Sequence, residues 1–334
     1  MALRYVESFD GVIINTTSLA LKMTAAFLPG TTWSGSPTSN TGRFGGLCAG
    51  NSPQFTIVTE TGKATWIISF AFFAVQYANG DILQMNDTGT LQCKARITNT
   101  GAMEFYRGST LVASVNSAWT FNQWYYWEFK FTIDNVSGYM EWRQDNVTKL
   151  TFSGDTQVSA NAWADRLIKT NTGTGDRMDD LVIMDSTGSL NNNFLGDTRV
   201  GIIRPNGEGA TIQWTRSTGA FNYATVDDIT PNDDTDYNST TTVGNIDLYE
   251  YEDATLPGPL FALQIVSYIR KDEAGTREFA QMTRTYATNY QGPTKTLAST
   301  FNHFLDIRET NPNTGLAWTD AEVDVAQFGE KLVT

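Results

Sequence analysis

The feature that most constrains the fold is a ten-residue stretch, 124–133, in which aromatic and polar side chains alternate. From Tyr125 onward, every second position carries an aromatic or β-branched residue: Tyr125, Trp127, Phe129, Phe131 and Ile133. Glu128 and Lys130 lie between them. Because successive side chains of a strand point to opposite faces, this spacing predicts a β-strand with one buried face. The turn residues 134–138 predict a hairpin with the strand that follows, Tyr139–Arg143.

Further short strands are predicted on both sides of this hairpin. Turn residues recur about every ten positions between 86 and 115, a spacing typical of antiparallel sandwiches and jelly rolls. Trp66–Val75 is almost entirely apolar, which favours a strand in the middle of a sheet with both faces covered. Aromatic residues make up 12% of the chain and charged residues only 18%. Thr, Asn, Gly and Ser fill much of the remainder, which favours strands and tight turns over helices. The fold class predicted for this half is an all-β antiparallel β-sandwich.

Charge divides the 334 residues into two parts. Residues 1–188 carry 16 acidic and 13 basic side chains, a net charge of -3, whereas residues 189–334 carry 20 and 10, a net charge of -10. The polar stretch 186–193 lies at this change and predicts a linker. We therefore expect two domains, 1–186 and 187–334.

The second part is predicted to be another β-rich module with a short C-terminal helix. Leu260–Arg270 and Arg277–Thr285 are predicted strands, and the six residues between them suggest a hairpin loop. Thr319 and Glu322 form a capping-box pattern, and Gly329 is a stop signal, so a helix is expected over Asp320–Phe328.

Composition and end sequences argue against several classes of protein. A net charge of -13 is opposed to nucleic-acid binding, which needs clustered Lys and Arg. The longest apolar stretch is about half of a membrane span, and the first nine residues lack a signal-peptide core, so we expect neither a membrane protein nor a signal peptide. Cys48 and Cys93 predict two buried thiols, or at most a single bridge.

Several motifs together resemble a known family. Ser8-Phe9-Asp10-Gly11, Gly42-Arg43-Phe44-Gly45-Gly46, the strand at 124–133 and Met178-Asp179-Asp180-Leu181 follow one another in an order similar to that of the concanavalin A-like, or laminin-G-like, lectin jelly roll found in bacteriophage structural proteins. Residues 194–334 look like the C-terminal module that follows this domain in many phage virion proteins. The resemblance implies a jelly-roll fold for 1–186 and membership of a virion.

The sequence offers little for catalysis. His303 is the only histidine, and its apolar neighbours predict an ordinary strand position. The Glu-x-Asp-x-(x)-Glu spacing of laminarinase-like sandwiches, which aims carboxylates into one groove, is missing. On these grounds we expect no enzymatic activity.

Two sets of residues are candidate binding sites. Trp124 and Tyr126 lie on the polar face of their strand, where an aromatic ring stacks on a sugar, although core or interface packing also explains them. The acidic run 227–236 offers Asp233, Asp234 and Asp236 as oxygen ligands for Ca²⁺, or as turn residues that bond their own backbone. Within the lectin-like half, the resemblance suggests Ca²⁺ at Asp10, Asp179 and Asp180. Otherwise no cofactor is expected.

Three functions follow from these interpretations. The leading hypothesis is a phage virion structural protein, a head decoration or tail appendage for assembly or attachment, made in the host cytoplasm. Its expected partners are other virion proteins and copies of itself in a homo-oligomer. The alternatives are a carbohydrate-binding adhesin that recognises host surface glycans and, less favoured, a glycan depolymerase.

Overall fold

Nearly all elements of the protein are antiparallel β-strands. The computed structural model describes residues 2–10, 16–38, 41–76, 79–116, 119–170, 172–173, 175–229, 231–255 and 257–334. Gly11 and Thr230, which belong to two of the sequence motifs, lie outside these ranges. The chain forms two compact units, 1–200 and 201–334, called the first and second units below. The domain boundary predicted at 186 stays a prediction.

The first unit contains thirteen named strands and one helix within the described residues. They are β1 Leu3–Glu7, α1 Thr16–Ala26, β2 Thr32–Thr38, β3 Cys48–Lys63, β4 Thr65–Phe73, β5 Gly80–Asp87, β6 Thr90–Ile97, β7 Ala102–Arg107, β8 Thr110–Asn116, β9 Trp124–Thr132, β10 Gly138–Gln144, β11 Val147–Gly154, β12 Ala164–Lys169 and β13 Arg177–Asp185. The helix α1 was not foreseen from the sequence.

The strands of the first unit follow one continuous hydrogen-bonded path. Its order is β11-β10-β9-β4-β13-β3-β12-β5-β6-β7-β8, with β1 beside β13 and β2 beside β3. The path folds into two layers, because Phe105 of β7 packs on Phe131 of β9 with ring centroids 6.1 Å apart. We call the layer that contains β9 and β4 the first sheet and the layer that contains β12 and β5 the second sheet.

The core between the layers is aromatic, as the alternating stretch predicts. Trp127 is fully buried, and its ring lies 4.4 Å from Phe72, 4.8 Å from Trp119 and 5.4 Å from Trp142. The pairing of β9 with β4 places Trp127 opposite Phe70, so the inward-facing residues of both strands share one face. This register also fixes which β9 residues point outward.

The second unit combines a five-stranded sheet with smaller sheets. Its elements are β14 Pro205–Ile212, β15 Thr215–Arg216, a 3₁₀ turn Tyr223–Thr225, β16 Asn238–Ser239, β17 Ile246–Tyr251, β18 Leu263–Ile269, β19 Glu278–Thr285, β20 Thr288–Thr296, β21 Asn302–Arg308, α2 Asp320–Val323 and β22 Gln327–Leu332. The large sheet has the order β14-β17-β22-β19-β20, and β18 pairs with β21. The predicted fold class, an antiparallel β-sandwich followed by a β-rich module with a short C-terminal helix, is confirmed.

Two local predictions for this unit are wrong. The strands β18 and β19 do not form a hairpin, because β18 pairs with β21 whereas β19 pairs with β20 and β22. Alternation sets the faces of a strand but not its partner, so the loop between them connects two sheets instead.

The C-terminal helix is also shorter than predicted. It begins at the expected capping box of Thr319 and Glu322 but ends at Val323. Gly329 then lies within β22, where a Cβ would approach the backbone oxygen of Asp247 to 2.0 Å. This glycine allows close approach of two strands and does not end a helix. Among the described residues, no helix is long and apolar enough to cross a membrane.

Replacement of Trp127 by Ala should lower the free energy of unfolding by ~3–5 kcal/mol, because it leaves a cavity among three aromatic rings. Urea denaturation followed by circular dichroism measures the change. Val136→Ala, at a turn residue that is 78% exposed, is the control and should stay within about 0.5 kcal/mol of the parent. A loss below ~1 kcal/mol for Trp127→Ala would contradict the assigned core.

Candidate functional site

The outward face of β9 carries the residues that the sequence proposes for sugar binding. Trp124, Tyr126, Glu128 and Lys130 alternate with the buried aromatic residues of the core. These four side chains differ in their surroundings. Residues 193–200 are hydrogen-bonded to Tyr126, Glu128 and Lys130.

Residues 193–200, called the covering segment below, are attached to β9 at three places. Lys130 Nζ donates to Asn193 Oδ1 at 3.3 Å, and the Gly196 N–H donates to Glu128 Oε1 at 2.9 Å. The Tyr126 hydroxyl is hydrogen-bonded to the Thr198 hydroxyl. The segment that follows the predicted linker therefore belongs to the first unit and covers its first sheet.

The covering segment lies over Tyr126 and shields it from solvent. The Tyr126 side chain is fully buried, and burial raises the pKa of its hydroxyl far above the usual range. A buried ring presents no face to solvent, so in this structure Tyr126 is placed for packing. Its predicted role in sugar binding stays a prediction that requires the segment to move.

Trp124 lies two residues further along the same face and is only half-buried. Its ring packs beside Phe73 of β4, with centroids 5.4 Å apart. The Arg177 guanidinium of β13 lies 4.7 Å from the Phe73 ring. Phe73 and Arg177 are also half-buried, so three neighbouring strands place two aromatic rings and a cation side by side. Trp124, Phe73 and Arg177 form what we call the Trp124 patch.

Arg43 connects the covering segment to the rest of the first unit. Its guanidinium binds both carboxylate oxygens of Asp197, at 2.6 and 2.5 Å, and lies 3.7 Å from Asp180. The same guanidinium lies 5.3 Å from the Tyr126 ring centroid. A bidentate Arg–carboxylate pair fixes the orientation of the two side chains as well as their distance. Arg43 therefore holds the covering segment against the sheet.

The acidic residues that the resemblance suggests do lie close together. Asp179 accepts the Arg43 backbone N–H, and Asp10 accepts the Leu47 N–H, both at 2.8 Å. Asp180 accepts the Val200 N–H at 2.8 Å.

Burial is the main cause of raised pKa values in this cluster. It raises the pKa of Asp179 to about 8, with the neighbouring charge of Asp180 as the second cause, and that of Asp180 to about 6. Folding therefore favours the protonated form of Asp179 more than the unfolded chain does. Within the described part of the chain, no group of three or more His, Cys, Asp or Glu side chains is arranged to hold a metal ion. Calcium at Asp10, Asp179 and Asp180 stays a prediction.

The second set of candidate ligands does not converge. Asp233 accepts the Tyr268 hydroxyl at 3.0 Å, and Asp234 pairs with Arg270 at 2.7 Å. The Asp236 N–H donates to the Asn232 side chain at 3.4 Å. Two of the three carboxylates thus bind side chains at the end of β18, and their predicted role as calcium ligands remains untested.

The sequence did not reveal the partners of Trp124 in the Trp124 patch, nor the covering segment over Tyr126. Phe73 and Arg177 are about 50 and 100 positions from their neighbours along the chain, and the covering segment follows a stretch that reads as a linker. The one available signal was the Gly42–Gly46 loop, whose glycines admit the side chains of Asp10 and Asp179.

Comparison with known proteins shows similar structures only. No family model matches the sequence, and no curated protein matches it. Domain 4 of AbnA, a GH43 extracellular arabinanase from Geobacillus stearothermophilus in complex with arabinotriose, is 15% identical, covers 55% of this chain and 92% of its own, and has a TM-score of 0.38. An endo-β-1,4-glucuronan lyase from the fungus Trichoderma reesei is 14% identical over 47% and 92%, with a TM-score of 0.31. Winged bean acidic lectin with methyl-α-D-galactose is 7% identical over 46% and 91%, with a TM-score of 0.34.

These comparisons correct one expectation and leave another open. The prediction that the protein is not an enzyme is wrong as it was made, because an arabinanase domain and a lyase are among the similar structures. Identities of 7–15% and TM-scores below 0.4 assign no activity, and nothing among these structures indicates a bacteriophage origin.

The raised pKa of Asp179 predicts a pH-dependent stability of the first unit. Between about pH 4 and 8 the folded state holds a proton that the unfolded chain releases, so the free energy of unfolding should fall as pH rises through this window. Asp179→Asn removes the titration while an amide oxygen still accepts the Arg43 N–H, and its profile should be shallower.

Urea denaturation at a series of pH values, with a chelator present to exclude divalent cations, measures these profiles. Asp253→Asn, at an exposed residue of the second unit, is the matched control and should follow the parent protein. Parallel profiles for Asp179→Asn and the parent would show that Asp179 is ionised in the folded state.

Proposed function

We propose that the first unit binds carbohydrate and that the Trp124 patch is the surface that contacts the sugar. The observation that carries this proposal is the half-exposed Trp124 ring, held beside Phe73 and Arg177 on the outward face of the first sheet. The lectin-like similar structure is compatible with it but does not support it independently.

The chemistry of the patch suits a sugar ring. One face of a pyranose presents C–H groups that pack on an indole. The hydroxyls at the edge of the sugar ring, and a carboxylate where the sugar carries one, form hydrogen bonds with polar groups beside the indole. Arg177 provides donors at that rim, and a guanidinium binds hydroxyl and carboxylate oxygens alike. Strands hold all three side chains, so little conformational entropy is lost when a ligand is bound.

Two other functions remain open beside this one. A place in a virion, as structural protein or appendage, is a proposal from the sequence resemblance, and a glycan-binding surface would serve such a protein in attachment. Cleavage of the bound glycan is a separate question, which the binding experiment answers when the products are analysed in parallel.

Trp124→Ala should weaken binding to a recognised oligosaccharide by about fivefold, since one stacked ring contributes on the order of 1 kcal/mol. A glycan array of neutral and uronic-acid polysaccharides identifies the ligand, and titration calorimetry measures the affinity. Trp124→Phe should retain part of it.

The matched control is Tyr286→Ala, which removes a 61% exposed aromatic ring from the second unit. This variant should bind as the parent does. Equal affinities for Trp124→Ala and Tyr286→Ala would contradict the proposed surface, and a parent protein that binds no glycan would contradict the function. Mass spectrometry of the incubated glycans reports any cleavage.

A further inference from the structure

A second aromatic ring is exposed on the other sheet of the first unit. All nine tryptophans of the chain lie within the described residues, and Trp163 alone has an exposed side chain, at 42%. It precedes β12 directly and ends the loop 155–163. The exposed indole presents a flat apolar surface with a polar N–H at its edge to solvent.

The Trp163 ring lies against a glycine. A Cβ at Gly62, near the end of β3, would be 1.8 Å from Trp163 Cδ1, so the indole occupies the space that any other residue at position 62 would need. The ring is thus packed against the backbone of β3 near its end, while a large part of its surface remains open to solvent.

The buried side chain of Gln92 is hydrogen-bonded to the backbone of the loop that carries Trp163. Gln92 is fully buried, and its side-chain oxygen accepts the N–H groups of Val158 at 2.6 Å and Ser159 at 3.0 Å. Its side-chain nitrogen donates to the backbone oxygens of Asn161 at 2.8 Å and Trp163 at 3.1 Å. A loop of polar residues is thereby held in one conformation with its tryptophan presented to solvent.

The residues next to Gly62 along β3 are polar. Glu60 and Thr61, which precede Gly62 in β3, are exposed, and Lys63 Nζ donates to the Thr61 hydroxyl at 3.4 Å. A protein interface of ordinary size buries a continuous apolar core, whereas here one flat exposed ring lies against Gly62, whose chain neighbours Thr61 and Lys63 are polar. That combination matches a ligand with an apolar face and a polar rim.

From this geometry we infer that Trp163 is a second carbohydrate-binding surface, which takes a hexose ring of a polysaccharide by its C–H face. The inference rests on the proposed function and extends it to the second sheet, because Trp163 neighbours β3 and β12 whereas the Trp124 patch lies on β9, β4 and β13. Two weak contacts with one long chain raise the overall affinity by effective concentration, without any additional contact between them.

The test uses the full chain and the polysaccharide that the array identifies. Trp163→Ala should reduce retention in affinity gels containing that polysaccharide by about threefold to tenfold, and the double variant with Trp124→Ala should lose more than either single variant. Gly62→Ala keeps the indole but displaces it from its seat, so it should reduce retention too. Val158→Ala, at a 43% exposed residue of the same loop, is the matched control and should be retained as the parent is.

The outcomes separate the two proposals. Unchanged retention of Trp163→Ala, together with a loss for Trp124→Ala, would overturn the second surface and leave the proposed function standing. A loss for Trp163→Ala alone would support the second surface and overturn the assignment of the Trp124 patch. No retention of the parent protein on any polysaccharide would overturn both. Urea denaturation of each variant confirms that it is folded.

Discussion

The pairing of β9 with β4 is the interaction on which the first unit depends. Both strands carry large aromatic residues at alternate positions, and their register places Trp127 opposite Phe70 and Phe129 opposite Ile68. A slip of one residue would turn these rings to the outer surface and bring Glu128 into the core. The cost of that exchange fixes the register, and the register in turn decides which side chains are available outside.

The outward face that results is divided by the covering segment. Arg43 holds this segment through Asp197, and the segment buries Tyr126 and Glu128 while Trp124 remains half-exposed. Tyr126 and Trp124 lie two positions apart on one strand but differ in exposure. The Tyr126 hydroxyl is buried against the covering segment, whereas Trp124 belongs to a surface patch. The loop of Arg43 also gathers buried carboxylates, whose raised pKa values express the free energy required to charge them away from water.

The half-buried Trp124 and the exposed Trp163, the two tryptophans proposed to contact sugar, are held in similar ways. In each case backbone hydrogen bonds or a buried side chain hold the support, and the ring lies beside polar groups. Rings held by a strand or by a hydrogen-bonded loop bind a ligand without losing much freedom of their own, which suits weak contacts repeated along a polymer.

The sequence by itself determined the strand class, the buried face of β9, the apolar strand β4 and the start of α2, because these follow from periodicity and from short-range capping. It did not determine which strands pair in the second unit, since alternation carries no information about partners. It also placed Trp124 and Tyr126 on one face without distinguishing them. Only the tertiary structure decided that one is covered and the other is not, because the covering segment comes from more than 60 residues further along the chain. The exposure of Trp163 was decided in the same way, since Gly62 and Gln92 meet it only through the pairing of distant strands.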